Sequence, residues 1–266
     1  MQYEKSAGRA IDLDPAQEEQ TFQRAIKRNP ENANAHYWLG CILKSKGDQG
    51  AEQSFRIAEE IHRRVIELDP RAVFAHAGLG KVLSAKGDLN GAERSCRRAV
   101  KLDPSVSLVH EGLGDVLEVK GDLNCAEQSY RRAVKLDPSA HDPSAHEGLG
   151  DILEAKGNFN GAERSYRRAI ELDPRSTLAH CGLGNALRGK GDLKRAEKSY
   201  RRAILLDETY FSGHFGLARV LFSINDFEGA ERSYRRTVEL DPRQIFAHVG
   251  LGNVLKAKGT SMAQQR

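Results

Sequence analysis

The tripeptide Leu-Asp-Pro recurs along this chain at nearly constant spacing. Its last residues are Pro70, Pro104, Pro138, Pro174 and Pro242. A variant that ends in Glu208 stands between the last two copies, and the successive steps are 34, 34, 36, 34 and 34 residues. A fixed period of this length is typical of repeat proteins, in which each unit buries its apolar face only by stacking on its neighbours. The 266 residues therefore predict one quasi-linear stack rather than two compact domains.

Each unit contains two segments whose apolar residues recur with the period of an α-helix. In the second unit, Leu79 and Leu83 share a face of the first segment, and Ala92 and Ala99 share a face of the second. Gly87 separates the two segments, and the proline of Leu-Asp-Pro ends the unit because proline cannot continue a helix. The unit is thus predicted to be a pair of antiparallel helices.

Two local patterns predict further detail. Asn90 and Glu93 fit a capping box, which would start the second helix near Asn90. In the first unit, the seven residues AEQSFRI precede Ala58, which we align with Ala92. Seven residues make two helical turns, so this unit is predicted to have a longer second helix.

The unit resembles the tetratricopeptide repeat (TPR) family. With Val73 as position 1 of the second unit, the family has Leu at position 7, Gly at 8 and 15, Ala at 20 and 27, an aromatic residue at 24 and Pro at 32. Position 7 is always leucine: Leu39, Leu79, Leu113, Leu149, Leu183, Leu217 and Leu251. Position 8 is Gly except at Ala218, and position 24 is tyrosine in four units: Tyr130, Tyr166, Tyr200 and Tyr234. The resemblance covers about residues 31–258.

The resemblance implies an all-α fold, a right-handed α-solenoid of stacked antiparallel helix pairs. We expect one or two capping helices in residues 1–30 and a lone helix with a tail in residues 245–266. Six repeats are expected between them, at about 31–70, 71–104, 105–138, 139–174, 175–208 and 209–242. The duplication PSAHDPSAH lengthens one loop by two residues. Leu251 and Leu255 of the last helix lack a second helix, which predicts an edge for end-to-end self-association or a truncated product.

Composition excludes several other classes. The 41 basic and 37 acidic residues nearly balance, unlike a nucleic-acid-binding tail or an acidic disordered chain. No apolar run reaches the roughly 18 residues of a membrane span, and no apolar segment at the N-terminus suggests a signal peptide. We therefore expect a soluble, cytoplasmic protein. The four cysteines form no CxxC pair and are expected to be free thiols.

Motifs that suggest a cofactor or metal have structural interpretations. GLGDVL at Gly112–Leu117 lacks the third glycine of a dinucleotide fingerprint and lies within a predicted helix. Position 4 is histidine in seven units: His36, His76, His110, His146, His180, His214 and His248. One histidine per repeat is too widely spaced for a single metal ion, so a packing role is expected. We expect no cofactor and no metal.

The second helices carry arginines at positions 22, 25 and 26, for example Arg94, Arg97 and Arg98. Glutamates interleave with them, which favours a solvated outer face over RNA binding. Ser, His and Asp recur with the repeat, so no unique catalytic constellation stands out. The chain is therefore not predicted to be an enzyme.

The first helices of such a stack line its concave groove, where positions 2, 5, 9 and 12 would meet a partner. Adjacent like charges at these positions destabilise a helix, so a retained acidic stripe suggests a binding surface. The candidate peptide-binding residues are Phe74, Lys81, Glu111, Asp115, Glu118, Glu147, Asp151, Glu154, Asn185, Arg188, Phe215 and Arg219. They are acidic in the middle and basic or aromatic toward the C-terminal end. The expected ligand is a peptide or extended segment rich in Lys or Arg.

The resemblance thus implies a non-catalytic scaffold for protein–protein interaction. Two alternatives remain open: a detached repeat region of a glycosyltransferase of the O-GlcNAc transferase type, and an RNA-binding helical repeat. The clamp that family co-chaperones use for a C-terminal carboxylate pairs Lys at position 5 with Asn at position 9. Here Cys181 accompanies Asn185, so that clamp is absent.

Overall fold

The computed structural model describes residues 15–137 and 142–264, and these ranges contain helices joined by short turns. The chain divides into two compact units, residues 1–138 and 139–266. The first unit contains α1 (Pro15–Arg28), α2 (Ala33–Ser45), α3 (Gly50–Leu68), α4 (Val73–Lys86), α5 (Leu89–Leu102), α6 (Ser107–Lys120) and α7 (Leu123–Leu136). The second contains α8 (Ser144–Ala155), α9 (Phe159–Leu172), α10 (Thr177–Gly189), α11 (Leu193–Leu206), α12 (Phe211–Ser223), α13 (Phe227–Leu240) and α14 (Ile245–Gln264).

The helices pack in pairs within each unit, as the all-α prediction requires. Each second helix (α3 and α5 in the first unit, α9, α11 and α13 in the second) packs between the first helix of its own pair and that of the next pair. Successive first helices also contact one another, α4 with α6 and α10 with α12 among them. The first helices therefore form the inner row of each unit and the second helices the outer row. The predicted fold of stacked helix pairs is confirmed.

An aspartate rather than a capping box starts most second helices. Gly87 ends α4 in the left-handed region, at φ 91°, and the next residue, Asp88, caps α5 by accepting a hydrogen bond from Gly91 N–H. The helix begins at Leu89, so the predicted capping box of Asn90 and Glu93 is wrong. A short side chain that caps immediately after the turn satisfies the first free N–H groups of the helix.

The first pair uses a different alignment from the one predicted. The aromatic ring that packs against Gly40 belongs to Phe55, the contact that Tyr130 makes with Gly114 in a later pair. Phe55 therefore occupies position 24, which makes Ala51 position 20 and Ala58 position 27. The prediction of a longer second helix is confirmed, since α3 has 19 residues and α5 has 14. The extra residues, however, follow Ala58 instead of preceding it.

A recurring ion pair links consecutive pairs on the outer row. Glu163 at position 21 forms one ion pair with Arg167 of its own helix, at 2.6 Å, and another with Lys190 of the next pair, at 2.5 Å. The hydrogen bond from Lys190 is the main reason why the pKa of Glu163 is lowered, although its burial raises it. Lys46 and Glu19 form the same bond, also 27 residues apart, at 2.7 Å. The described N-terminal helix α1 thus packs as the second helix of a preceding pair would.

The position-24 tyrosines Tyr166 and Tyr200 are packed between glycines of two first helices. Tyr166 is 1% exposed, and a methyl group on Gly150 of its own pair would lie 2.7 Å from the ring. A methyl group on Gly182 of the next pair would overlap the same ring. Only glycine lets both helices approach the aromatic ring this closely, which explains why Gly-Leu-Gly lies inside helices despite a cost of about 1 kcal/mol per glycine.

The last described helix, α14, runs past Lys258 to Gln264. Val254 is fully buried, and Leu251 packs against the core of the second unit. Leu255 is 46% exposed, and three further apolar residues of the helix are exposed: Ile245, Phe246 and Val249. The exposed apolar surface is therefore wider than the expected edge, and it does not include Leu251.

Two alanine substitutions at position 6 test the tyrosine packing. Gly182→Ala is expected to lower the free energy of unfolding by about 1–2 kcal/mol, because the methyl group displaces the Tyr166 ring. Gly112→Ala is its matched control, since Cys96 takes the place of tyrosine there and the nearest atom to the new methyl group would be Lys81 Cε at 3.9 Å. This variant is expected to gain up to about 1 kcal/mol. Urea unfolding followed by circular dichroism measures both, and equal changes would contradict the packing argument.

Candidate functional site

The acidic residues of the inner row are held by buried tyrosine hydroxyls. In the first unit, the Tyr130 hydroxyl lies 2.7 Å from Asp115 Oδ1 and 3.1 Å from Glu118 Oε2. All three side chains come from one helix pair, α6 and α7. Burial of Tyr130 and the two nearby carboxylates raise the pKa of its hydroxyl well above the ordinary value, so it stays a donor.

The second unit repeats this arrangement with one difference. The Tyr166 hydroxyl lies 2.6 Å from Asp151 Oδ1 and 3.2 Å from Glu154 Oε2. Since a hydroxyl has one proton to donate, the two carboxyl groups are only partly satisfied by it. Burial, followed by the charge of Asp151, raises the pKa of Glu154 to about 7. Hydrogen bonds from Tyr166 and Asn185 and the charge of Arg188 oppose the shift, so this carboxyl changes charge near neutral pH.

Along the second unit the inner row changes from acidic to basic and aromatic. On α10, the Tyr200 hydroxyl bonds Asn185 Oδ1 at 2.6 Å, so an amide replaces the carboxylate of position 9. On α12, the Phe215 ring packs edge-on against Tyr234, with centroids 6.0 Å apart. The Arg219 guanidinium lies 5.7 Å from the centre of the Phe215 ring and is exposed.

The remaining predicted site residues differ in exposure. Phe74 on α4 is 64% exposed, whereas Lys81 on the same helix is half-buried. Glu111 is also half-buried. Glu147 accepts a hydrogen bond from the hydroxyl of Ser176, at the start of the next pair, so it has a structural partner.

The structure adds a role for the carboxylates that sequence reasoning missed. In the sequence, Asp115 and Asp151 are candidate binding residues because like charges four residues apart are unfavourable on a helix. Each also binds a position-24 tyrosine fifteen residues later, which gives the acidic residue a packing partner as well as a candidate binding role. The recurring 15-residue spacing of Asp and Tyr is the signal that could have identified this contact.

The position-4 histidines form hydrogen bonds to the turns between helix pairs. His110 Nε2 lies 3.0 Å from the carbonyl oxygen of Pro104, six residues earlier, and five other position-4 histidines make the same bond. For His146 the corresponding residue, 140, lies outside the described ranges. A side-chain N–H that satisfies the last carbonyl of the turn explains the preference for histidine at this position. The expected packing role therefore includes a specific hydrogen bond.

Two properties of the described residues concern metal binding and membrane insertion. Within 15–137 and 142–264, no three His, Cys, Asp or Glu side chains lie close enough to bind a metal ion together. No helix in those ranges combines the length and apolar character that crossing a bilayer requires. Cys96 and Cys181 are buried, Cys41 and Cys125 are half-buried, and none of these four cysteines forms a disulfide.

Family models for the tetratricopeptide repeat match overlapping segments of the sequence. One model matches residues 77–141, 112–177, 147–210 and 181–245, and a second matches residues 21–53. This chain belongs to the tetratricopeptide repeat family. Proteins of the TPR family are typically non-catalytic, and the repeats support a role in protein–protein interaction.

Several solved structures share the TPR fold. YrrB, described as a TPR protein with an unusual peptide-binding site, is 20% identical, with a TM-score of 0.58 over 76% of this chain and 99% of YrrB. The Cut9–Hcn1 hetero-tetramer of the APC/C is 18% identical, with a TM-score of 0.70 over 91% of this chain and 46% of the other. MamA is 26% identical, with a TM-score of 0.52 over 64% and 95%. No curated protein matches the chain by sequence.

The carboxyl group of Glu154 predicts a pH dependence of stability. Its pKa is about 7 in the folded protein against an ordinary value of 4.5, so between these values the folded state holds a proton that the unfolded chain releases. This contribution is fully present below about pH 4.5 and is lost as the pH rises through 7. Glu154→Gln is expected to remove this loss, which is of order 3 kcal/mol at most.

Thermal unfolding between pH 5 and 8 checks the prediction. Glu171→Gln, on the outer row, is the control, since Glu171 is exposed and pairs with Arg168 at the surface. The control is expected to keep the wild-type slope. An unchanged slope in Glu154→Gln would show that Glu154 titrates at its ordinary pKa.

Proposed function

We propose that this TPR protein is a scaffold that binds an extended, basic segment of a partner along the inner row of first helices. The observation that carries the proposal is the carboxyl pair of Asp151 and Glu154, which Tyr166 holds on the inner row without neutralising both groups. A group held in place before binding loses little conformational freedom when a ligand arrives. Lysine or arginine of the partner adds charge-assisted hydrogen bonds to these carboxyl groups.

The second unit by itself supports a polarity for the bound segment. Carboxylates lie on α8, an amide and Arg188 on α10, and Arg219 beside Phe215 on α12. A complementary segment has lysine or arginine against α8 and apolar or acidic residues toward α12. Neighbouring helices pack about 8–10 Å apart and an extended chain advances about 3.3 Å per residue, so about six residues separate the two ends.

The first unit has aromatic, basic and acidic side chains on its first helices too, but in another order. Phe74 and Lys81 lie on α4, and Glu111, Asp115 and Glu118 lie on α6. These carboxylates and those of α8 belong to different units, and each set is proposed as a contact of its own. YrrB is described as having an unusual peptide-binding site, which supports peptide binding as the class of activity.

Isosteric substitutions test the proposed peptide contact. A fluorescent peptide with two arginines followed six residues later by phenylalanine is titrated with the wild type and with Asp151→Asn/Glu154→Gln, and fluorescence anisotropy is measured. The double substitution is expected to weaken binding about tenfold, because it removes charge without changing shape. Wild-type binding is expected to be tighter at pH 8 than at pH 6, since Glu154 is charged only above about pH 7.

A matched outer-row variant controls for net charge. Glu171→Gln/Glu239→Gln also removes two carboxylates but leaves the inner row intact, and its affinity for the peptide is expected to equal that of the wild type. If this control weakens binding as much as the inner-row variant, the peptide responds only to net charge and the proposal fails. Unchanged affinity in Asp151→Asn/Glu154→Gln would also overturn it.

A further inference from the structure

An open groove lies on the outer row of the second unit, away from the inner-row site. It has a volume of about 460 Å³ and lies between the second helices α11 and α13, with α12 beneath them. The lining residues are Arg201, Ile204, Leu205, His214, Leu217, Arg232, Ser233 and Arg236. Apolar side chains form the centre, and three arginines surround it.

Leu205 breaks the repeat pattern at this groove. It occupies position 29, where the other later repeats have a charged residue: Lys101, Lys135, Glu171 and Glu239. The Leu205 side chain is 74% exposed. An exposed leucine where the sequence elsewhere places charge is unfavourable in water, and a partner that covers it removes this apolar surface from water.

The arginines around Leu205 leave positive charge available. Arg201 pairs with Glu197 at 2.9 Å and Arg236 with Glu239 at 3.1 Å. Arg232 makes no ion pair with any carboxylate among the described residues. Glu197 lies four residues before Arg201 and Glu239 three residues after Arg236, and the charge of Glu231 also acts on Arg232.

We propose that this groove docks an acidic segment of a partner protein that places one apolar side chain against Leu205 and carboxylates against the arginines. Arginine binds carboxylates with two parallel hydrogen bonds, and arginines beside a buried apolar contact dominate many protein interfaces. The groove volume lies within the 300–1,000 Å³ range of binding sites that accept whole side chains or small ligands. This inference is independent of the inner-row proposal, since the two sites share no residue and require peptides of opposite charge.

The composition of the groove favours protein over single-stranded RNA. Bases stack on aromatic side chains, and the groove lining contains no Phe, Tyr or Trp. His214 is in the lining, but it is half-buried and its Nε2 is bonded to the carbonyl oxygen of Glu208. Its exposed centre is aliphatic, which suits an aliphatic or aromatic side chain of a peptide. The experiment must therefore distinguish peptide binding from RNA binding.

Substitutions to residues that occur at the same position in other repeats test the proposal with little risk to folding. Leu205→Lys introduces the residue found at Lys101 and Lys135, and Arg232→Gln introduces the residue found at Gln128. The probe is a fluorescent peptide of glutamates around a central Leu-Phe, and anisotropy gives its affinity. Both variants are expected to weaken binding at least about fivefold. If attraction were purely electrostatic, Leu205→Lys would instead tighten binding, which would overturn the proposal.

Three controls complete the experiment. Arg164→Gln changes the same helix position two repeats earlier and is expected to leave affinity unchanged. A loss of affinity equal to that of Arg232→Gln would show that the peptide responds only to net charge. Asp151→Asn is expected to leave this peptide unaffected, so failure here and failure of the inner-row proposal are distinguishable. Oligouridine of matched length is expected to bind more weakly than the peptide. Tighter RNA binding, or no saturable peptide binding, would overturn the inference.

Discussion

In the second unit, the packing of one tyrosine ring between two glycines connects consecutive repeats. Tyr166 touches Gly150 of its own pair and Gly182 of the following pair, and Tyr200 does the same with Gly184 and Gly216. The glycines cost helix stability, but they let three helices close around a large buried ring. Where Cys96 replaces the tyrosine, the following glycine has open space beside it. The spacing of these repeats in the second unit therefore depends on this contact.

The same tyrosine links the core to the inner surface. Its ring is buried, while its hydroxyl reaches the carboxyl or amide group at position 9 of the first helix. A change on the inner surface is thus also a change in core hydrogen bonding. These hydrogen bonds offset the mutual repulsion of the acidic residues of α6 and α8 and hold them in a fixed geometry.

Charges on the outer row have mostly structural partners. Position-25 arginines and position-14 lysines of the next pair converge on position-21 glutamates, as around Glu163. The near-neutral composition is therefore a set of recurring ion pairs rather than two opposed charged faces. Against this regular background, Leu205 and the arginines near it form a local exception. Deviations from a repeat are informative because the repeat itself already satisfies the requirements of folding.

The sequence by itself determined the period, the helix pairs, the family and the buried leucine and alanine faces, because these depend on spacing along a single helix. It misaligned Phe55 in the first pair, placed the start of α5 near Asn90, and treated Asp115 only as a surface charge. The start of α5 depends on a local cap, Asp88. The other two depend on which side chain of one helix meets which residue of another. Only the tertiary structure decided them, since helix periodicity specifies a buried face but not the partner that lies against it.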